Sequence, residues 1–449
     1  MYSKHKFIRN ISTLAVATTI FMAATSAMAV EKLYGGGATF PAPAYVGNAN
    51  LGTTPDARLS TNAGNNAGAG FQTAGISAGS VFAAYTTATT NQISYCQTGS
   101  GFGKTVLNGS IANLNCRDFG PLAPVGLSAA AVTPDFTGTD SPISTTDYNN
   151  FIAGPNDTTR TGIVQVPTLA GAIALPYNAS VSGVPVVNLT TEQVCRIYSA
   201  KITNWSGILN GATPVGSGAI RIVYRTDGSG TTFAFTSYLA SKCNGLYTIP
   251  AGFFTPNQVF ASAVTGGVAI YAASTGASGN NGVVAATIAN SNAVGYADFG
   301  EVDNQGADYA TINGFDPGQF GNVSGVPTPV SITTALLRGQ VLNGATTAAA
   351  PAAIPVNARN CLLLINPTTT ISNRYPIAAF TYLNGYNTGN GGVLHIDAIK
   401  KLYRTFYNLP VSSRPVLPAG FAYLDGFAAF GNQIRNIIDG AAGEPGCVF

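Results

Sequence analysis

The segment whose residue types are best suited to chemistry is Arg225-Thr-Asp-Gly-Ser-Gly-Thr-Thr232. It follows a β-branched run at 219–224 that predicts a strand, and residues 232–242 have helical spacing. The unpaired N–H groups and the dipole at such a helix start attract anions, and the glycines let the backbone approach one closely. Arg225 adds a planar fork of donors that fits phosphate. The segment predicts an anion site, and the alternative is a strand–turn–helix unit with an Asp or Ser cap and no ligand.

Three other segments place small polar residues at predicted turns, and each is ambiguous when taken alone. They are Gly35–Pro43 with Thr39, Thr98–Gly103 with Ser100, and Asp135–Pro142 with Asp140. A glycine-rich turn with a capping hydroxyl is usually structural, and an Asp before Ser-Pro is most often a turn residue.

In chain order, these four segments resemble the motifs of the periplasmic phosphate-binding protein of the high-affinity ABC phosphate transporter, a PstS-like protein. The likeness rests on Gly-Ala-Thr-Phe-Pro-Ala-Pro at 37–43, Gly-Ser-Gly at 99–101, Thr-Asp-Ser-Pro at 139–142 and Arg-Thr-Asp-Gly-Ser-Gly-Thr at 225–231. Four further stretches support it: Lys201–Trp205, Phe235–Leu239, Gly279–Gly282 and Ala293–Tyr296. The resemblance spans about residues 34–300 and 375–382.

The resemblance implies a set of phosphate contacts in this chain. The matching positions are Thr39, Phe40 through its backbone N–H, Ser100, Asp140, Arg225, Ser229, Gly230 and Thr231, with Asp227 orienting the arginine. Two positions depart from the family pattern, because Gly101 replaces a serine and Ser141 replaces an alanine. Neither departure removes an expected contact.

The residue types suit a protonated tetrahedral anion. Hydroxyls, backbone N–H groups and Arg225 are donors, whereas ionised Asp140 accepts a hydrogen bond from a ligand O–H. Sulfate has no proton at neutral pH, so Asp140 is expected to reject it. We expect phosphate as the ligand and no cofactor or catalytic residue.

The implied fold is α/β, with two lobes joined by two crossover strands and a ligand cleft between them. This is the type II, Venus-flytrap fold of periplasmic binding proteins. The first lobe is predicted at 30–170 and 371–449, and the second at 171–370. Two regions rich in Gly, Ala, Asn and Thr, at about 50–80 and 302–373, are expected to be insertions.

The chain begins with features typical of an export signal. Lys4, Lys6 and Arg9 precede an apolar stretch at about 11–24, and Ala27-Met-Ala29 fits a cleavage site. We therefore expect cleavage after Ala29 and a periplasmic or secreted protein without stable membrane insertion. The signal holds three of 21 basic residues and none of the 18 acidic ones, so the remainder is neutral and nucleic acid is not an expected partner.

Six cysteines in an exported chain predict disulfides. The predicted pairs are Cys96–Cys116, Cys195–Cys243 and Cys361–Cys447. No pair has C-x-x-C spacing, so a zinc site is not expected.

Three functions remain open from the sequence. The first is phosphate binding for an ABC permease, and the second is a secreted phosphatase. The third is a phosphate-binding fold reused at the cell surface or in assemblies, since fold alone does not determine function. Against an enzyme, His395 is the single histidine after the signal and is expected to be a surface or packing residue. A serine such as Ser229 has no evident partner base.

Overall fold

The computed structural model describes residues 30–47, 57–59, 79–109, 132–179, 186–332, 335–352, 354–367, 369, 371–407, 414–424 and 428–449. The predicted export signal, most of the first predicted insertion and Cys116 lie outside these residues. No helix among them is long and apolar enough to cross a membrane.

One large sheet runs through the molecule. Its strands are β1 (Lys32–Gly37), β2 (Ala57–Leu59), β3 (Gln92–Gln97), β4 (Phe136–Thr139), β5 (Ile163–Asn178), β6 (Asn188–Leu189), β9 (Arg221–Arg225), β10 (Ala273–Ala277), β11 (Ala293–Val294), β12 (Ala297–Asp298), β13 (Tyr309–Ile312), β20 (Ala378–Tyr386) and β21 (Phe421–Tyr423). The strand order along the sheet is β10-β9-β11-β5-β20-β4-β1-β3-β2. Short hairpins and pairs are formed by β7 (Leu209–Asn210), β8 (Thr213–Pro214), β14 (Asn322–Val323), β15 (Val326–Pro327), β16 (Leu336–Arg338), β17 (Gln340–Asn343), β18 (Thr346–Ala349) and β19 (Leu363–Ile365).

Helices cover this sheet. They are α1 (Ala42–Tyr45), α2 (Val81–Thr89), α3 (Ser100–Leu107), α4 (Thr145–Ala153), α5 (Thr191–Tyr198), α6 (Gly230–Cys243), α7 (Phe260–Ala263), α8 (Gly279–Ala289), α9 (Phe299–Asn304), α10 (Val356–Arg359), α11 (Val393–Thr405) and α12 (Ala428–Asp439). Helix α5 begins at a capping box, because Thr190 Oγ1 accepts from Gln193 N at 3.1 Å and Gln193 Oε1 accepts from Thr190 N at 2.8 Å.

Strand β5 connects two groups of parallel strands. Its first half pairs with β20, which in turn pairs with β4, while its last residues pair with β11, β12 and β13. On one side β1 runs parallel to β3 and β4, and on the other β9 runs parallel to β10 and β11. All but the last of the 16 residues of β5 are buried, which explains why these buried residues are apolar or small with the exception of Gln165. This confirms the predicted two-lobed α/β architecture.

The second predicted insertion contains strands β13 to β19 and helix α10. Strand β13 pairs with β5 and β6, whereas Val341 and Leu362 are buried in a cluster with Leu107 of α3 and Tyr148 of α4. The lobe boundaries stay a prediction, and these contacts favour moving residues 336–365 to the first lobe.

Two of the predicted disulfides are present. Cys195 bonds to Cys243 and Cys361 bonds to Cys447, with Cα–Cα distances of 5.4 and 5.5 Å. The predicted Cys96–Cys116 pair stays a prediction, because Cys116 lies outside the described residues.

His395 is a packing residue that links three parts of the first lobe. Its Nδ1 lies 2.9 Å from Glu31 Oε2 and its Nε2 lies 3.0 Å from Asp135 Oδ1, while Arg160 also contacts Asp135. The hydrogen bond to Asp135 raises the pKa of His395, with a smaller contribution from Glu31.

This geometry predicts a pH-dependent stability. Because the pKa of His395 is raised on folding, its contribution is complete below the unfolded value and is lost as pH rises through the folded value. Urea unfolding at pH 5 and 8 should show that His395→Gln costs roughly 1–2 kcal/mol more at pH 5. The control is Asp397→Asn on the same helix, which removes solvent-accessible ion pairs with Lys401 and Arg404 and should cost a similar unfolding free energy at both pH values. Equal costs of His395→Gln at both pH values would contradict the assignment.

Candidate functional site

The four predicted segments meet at the carboxyl ends of the strands that precede them. Since β1, β3 and β4 are parallel, their carboxyl ends lie side by side, and the turn after β9 faces them from the other lobe. Gly37 at the end of β1 accepts hydrogen bonds through its carbonyl from Thr98 N at 2.8 Å and Gly99 N at 2.7 Å. The β3–α3 turn is therefore held directly beside the Thr39 segment.

Ser100 and Asp140 form the centre of the first-lobe side. Asp140 N donates to Ser100 Oγ at 2.9 Å, and Ser100 Oγ donates to Asp140 Oδ2 at 3.2 Å. Ser100 is also the first residue of α3, so it lies where unpaired N–H groups point out of the helix. Both side chains are almost fully buried.

Helix α6 brings its N-terminus against this pair. A Cβ atom added to Gly230 would lie 2.6 Å from Asp140 Cβ and 2.8 Å from Asp140 N, and closer still to Ser100 Oγ. Only glycine fits there without a shift of backbone. Ser229 caps the helix by accepting from Thr232 N at 3.0 Å. Two helix N-termini from different lobes thus converge on one point.

The lobes also touch through two further contacts. Gly101 N donates to Gly228 O at 2.9 Å, and Gln258 Nε2 donates to Ser141 Oγ. A Cβ at Gly101 would lie 3.0 Å from Gly228 O, so the departure from serine at this position allows the close approach. The other departure, Ser141, supplies a hydrogen bond between the lobes.

Arg225 is buried, with only 1% of its surface exposed, and its guanidinium is held on two sides. Its Nε donates to Asp227 Oδ1 at 2.7 Å and its Nη2 contacts Asp227 Oδ2, which is the predicted orienting role of Asp227. Its Nη1 donates to Asn280 Oδ1 at 2.6 Å. Guanidinium nitrogens carry five N–H groups, and these three bonds leave two of them for other acceptors.

Asn280 and Tyr296 were not predicted as site residues. Asn280 Nδ2 donates to Thr231 Oγ1 at 3.3 Å and to Asp298 Oδ2 at 2.8 Å, and Tyr296 Oη accepts from Arg225 N at 3.2 Å. Both lie in stretches that carried only supporting likeness, Gly279–Gly282 and Ala293–Tyr296. They complete a network that fixes Arg225 and Thr231 in place.

Two of the predicted contact residues have a buried side-chain oxygen without a hydrogen-bond partner among the described residues. These oxygens are Thr39 Oγ1 and Asp140 Oδ1. Leaving a buried polar atom unpaired costs about 1–3 kcal/mol, so such atoms call for an explanation. A ligand with both donors and acceptors would pair them. The ring of Phe40 is fully buried and packs against Phe421, so a ligand could contact only the backbone of this residue.

The charges of the site are set by burial and by Arg225. Burial raises the pKa of Asp140 to about 7, against the opposing effects of Ser100 and Arg225. Burial also acts to raise the pKa of Asp227, but the charge and hydrogen bonds of Arg225 hold it below its usual value. Asp227 and Arg225 therefore form a neutral pair, and Asp140 can be either protonated or ionised near neutral pH.

Comparisons with known proteins identify the family of this chain. The profile of the PBP superfamily domain matches residues 57–407. A phosphate-binding protein from an unknown prokaryotic organism is 32% identical over 151 residues, which span 34% of this chain but only 38% of that protein. Alkaline phosphatase L from Pseudomonas aeruginosa is 28% identical over 323 residues, covering 72% of this chain and 68% of that protein.

A solved structure confirms the fold over nearly the whole chain. It is that of a high affinity periplasmic phosphate-binding protein, PfluDING, bound with phosphate at pH 8.5. The TM-score is 0.61 at 21% identity, with 93% of this chain and 96% of that chain covered. Because the profile also matches well over half of the chain, this protein belongs to the PBP superfamily and has its two-lobed fold.

Proposed function

We propose that this protein binds inorganic phosphate in the cleft between its lobes. The observation that carries the proposal is a pair of buried oxygens, Thr39 Oγ1 and Asp140 Oδ1, which have no partner in the described part of the chain and lie beside two helix N-termini and Arg225. Helix N-termini and a guanidinium favour an anion, and an unpaired carboxylate favours an anion that still carries a proton. Monohydrogen phosphate meets both requirements, whereas sulfate meets only the first.

The proposed ligand contacts are those expected from the resemblance: Thr39, Phe40 N–H, Ser100, Asp140, Arg225, Ser229, Gly230 and Thr231. Calorimetric titration with phosphate, arsenate and sulfate tests the proposal. We expect saturable binding of phosphate and of arsenate, which carries a proton in the same way, and clearly weaker binding of sulfate at pH 8, where Asp140 is mostly ionised. Equal affinity for phosphate and sulfate, or no phosphate binding, would refute it.

The proposed cellular role is that of the solute-binding component of an ABC phosphate uptake system, in the periplasm or outside the cell. Its support is the family resemblance and the phosphate-binding relatives. Deletion of the gene should slow growth at micromolar phosphate, and co-purification with a permease would support the partner. Normal growth of the deletion strain, with the protein found in the medium or in assemblies, would favour the surface role instead.

Hydrolysis of phosphate esters is the second candidate, because a relative covering most of the chain is named an alkaline phosphatase. The site offers few groups that could catalyse ester hydrolysis. Ser229 accepts from the backbone as a helix cap, and His395 is bound to Glu31 and Asp135 instead of a serine. The described residues contain no group of His, Cys, Asp and Glu that could hold a metal ion. Turnover of a chromogenic ester that is lost in Ser229→Ala would support the enzyme.

The close contact at Gly230 makes a separate prediction. Gly230→Ala should weaken phosphate binding at least roughly tenfold, because its methyl group would overlap the backbone of Asp140 and hold the lobes apart. The matched control is Gly282→Ala in α8, where the nearest atom to the new Cβ would be 3.6 Å away. Titration calorimetry of both variants decides the matter, and wild-type affinity in Gly230→Ala would place the ligand elsewhere.

A further inference from the structure

Segment 336–365, from the start of β16 to the end of β19, is attached to the first lobe by its backbone. Leu342 N donates to Ile143 O at 3.0 Å, and the Leu363 carbonyl accepts from Gln165 Nε2 at 3.1 Å. Val341 is fully buried in a cluster with first-lobe side chains: Leu107, Ile143, Tyr148, Phe151, Ile163 and Tyr386. These contacts tie the segment to α3, α4 and β5.

The two ends of the segment are fastened as well. Cys361 is bonded to Cys447 near the C-terminus, and the guanidinium of Arg338 forms two hydrogen bonds with Glu444, at 3.0 and 2.6 Å. Ile365 N donates to Tyr382 Oη at 3.2 Å on β20. A segment held at so many points is expected to move as one body with the first lobe.

The opposite face of β17 carries a different contact. Leu342 and Leu364 form a small separate cluster with Phe233, which lies on α6 three residues after Gly230. All three are less than one-tenth exposed. Helix α6 follows β9 in the second lobe, so this cluster joins the lobes at a place outside the anion site.

We propose that segment 336–365 is a closure clamp, in which Leu342 and Leu364 cover Phe233 when the lobes close around the ligand. The inference rests on the proposed phosphate binding and adds positioning residues that do not touch the ligand. Opening the lobes would expose Phe233 to water, and this cost favours the closed state. A variant with less apolar contact would populate the closed state less, and its apparent affinity would fall by the same fraction.

Adjacent residues on β17 provide a sharp test. Leu342→Ala should weaken phosphate binding roughly tenfold, chiefly through faster dissociation, because closure loses part of its apolar contact. Val341→Ala removes a side chain from the first-lobe cluster only, so it should lower the unfolding free energy and leave phosphate affinity unchanged. In a double-mutant cycle, Phe233→Ala and Leu342→Ala should be less than additive in their effect on affinity.

Small-angle X-ray scattering separates this inference from the proposed function. Leu342→Ala should shift the scattering towards a more open form than wild type and Val341→Ala, whether or not phosphate binds. Failure of wild type to bind phosphate would refute the proposed function, and scattering alone would then decide the clamp. The clamp would be overturned if Leu342→Ala scattered like wild type. It would also be overturned if Leu342→Ala and Val341→Ala lost equal affinity for phosphate.

Discussion

Arg225→Ala should weaken phosphate binding by about 10²–10³-fold. The substitution removes charge-assisted hydrogen bonds worth about 1.5–3 kcal/mol each and leaves Asp227 as an uncompensated, partly buried carboxylate near the anion. Arg225→Lys should recover only part of the loss, because an ammonium cannot hold Asp227, Asn280 and the ligand at once. Titration calorimetry at fixed pH and salt measures the phosphate affinity of both variants.

The control for this prediction lies on the same strand. Arg221 is half-buried and donates from Nη1 to Thr275 Oγ1 at 3.2 Å, away from the anion site. Arg221→Ala removes an equal charge from β9 and should bind phosphate like wild type. If Arg225→Ala and Arg221→Ala had equal affinities, the guanidinium of Arg225 would not be a ligand contact.

Asp140→Asn should abolish most of the discrimination between phosphate and sulfate. An amide can donate to sulfate, and it removes the carboxylate that repels a fully ionised anion, so relative sulfate affinity should rise about tenfold at pH 8, one unit above the pKa of Asp140. Asp147→Asn is the control, because this carboxylate is paired with Lys104 at 2.7 Å outside the site. The Asp147→Asn variant should discriminate between phosphate and sulfate as wild type does, even if its unfolding free energy falls.

The same carboxyl makes selectivity depend on pH. Burial raises the pKa of Asp140 in the free protein to about 7, so the group is protonated below that value and ionised above it. A protonated Asp140 can donate to sulfate, and wild-type sulfate affinity should therefore rise as pH falls from 8 to 6. Asp140→Asn should lose this trend. A flat profile for wild-type sulfate binding would contradict the role given to Asp140.

The site segments could be predicted because their chemistry is local. The turn after β9 and the turn before α3 each combine a strand end, glycines and a capping hydroxyl within a few residues. The anion-binding tendency of such a turn depends on these neighbouring residues and not on distant contacts. The structure adds that Gly230 touches Ser100 and Asp140, which are about 130 and 90 residues away in sequence. The expectation that these distant segments meet came from the resemblance to a family, because the spacing of the residues does not predict it.

Other parts of the site depend on packing that no local pattern encodes. Asn280 reaches Arg225 because α8 packs beside β9, and its own segment reads as an ordinary helix start. The clamp contact between Phe233 and Leu342 joins a helix to a Gly- and Thr-rich region that was expected to be an insertion in the second lobe. Apolar residues within such a region show no periodicity that reveals the surface they cover.

A crystal structure of the protein with phosphate, at a pH above 7, tests the central claim most directly. We predict one tetrahedral ligand between the lobes that donates its proton to Asp140 Oδ1 and accepts from Thr39 Oγ1, Arg225 and the first N–H groups of α3 and α6. Phosphate bound anywhere else, with Thr39 Oγ1 and Asp140 Oδ1 still unpaired, would contradict it.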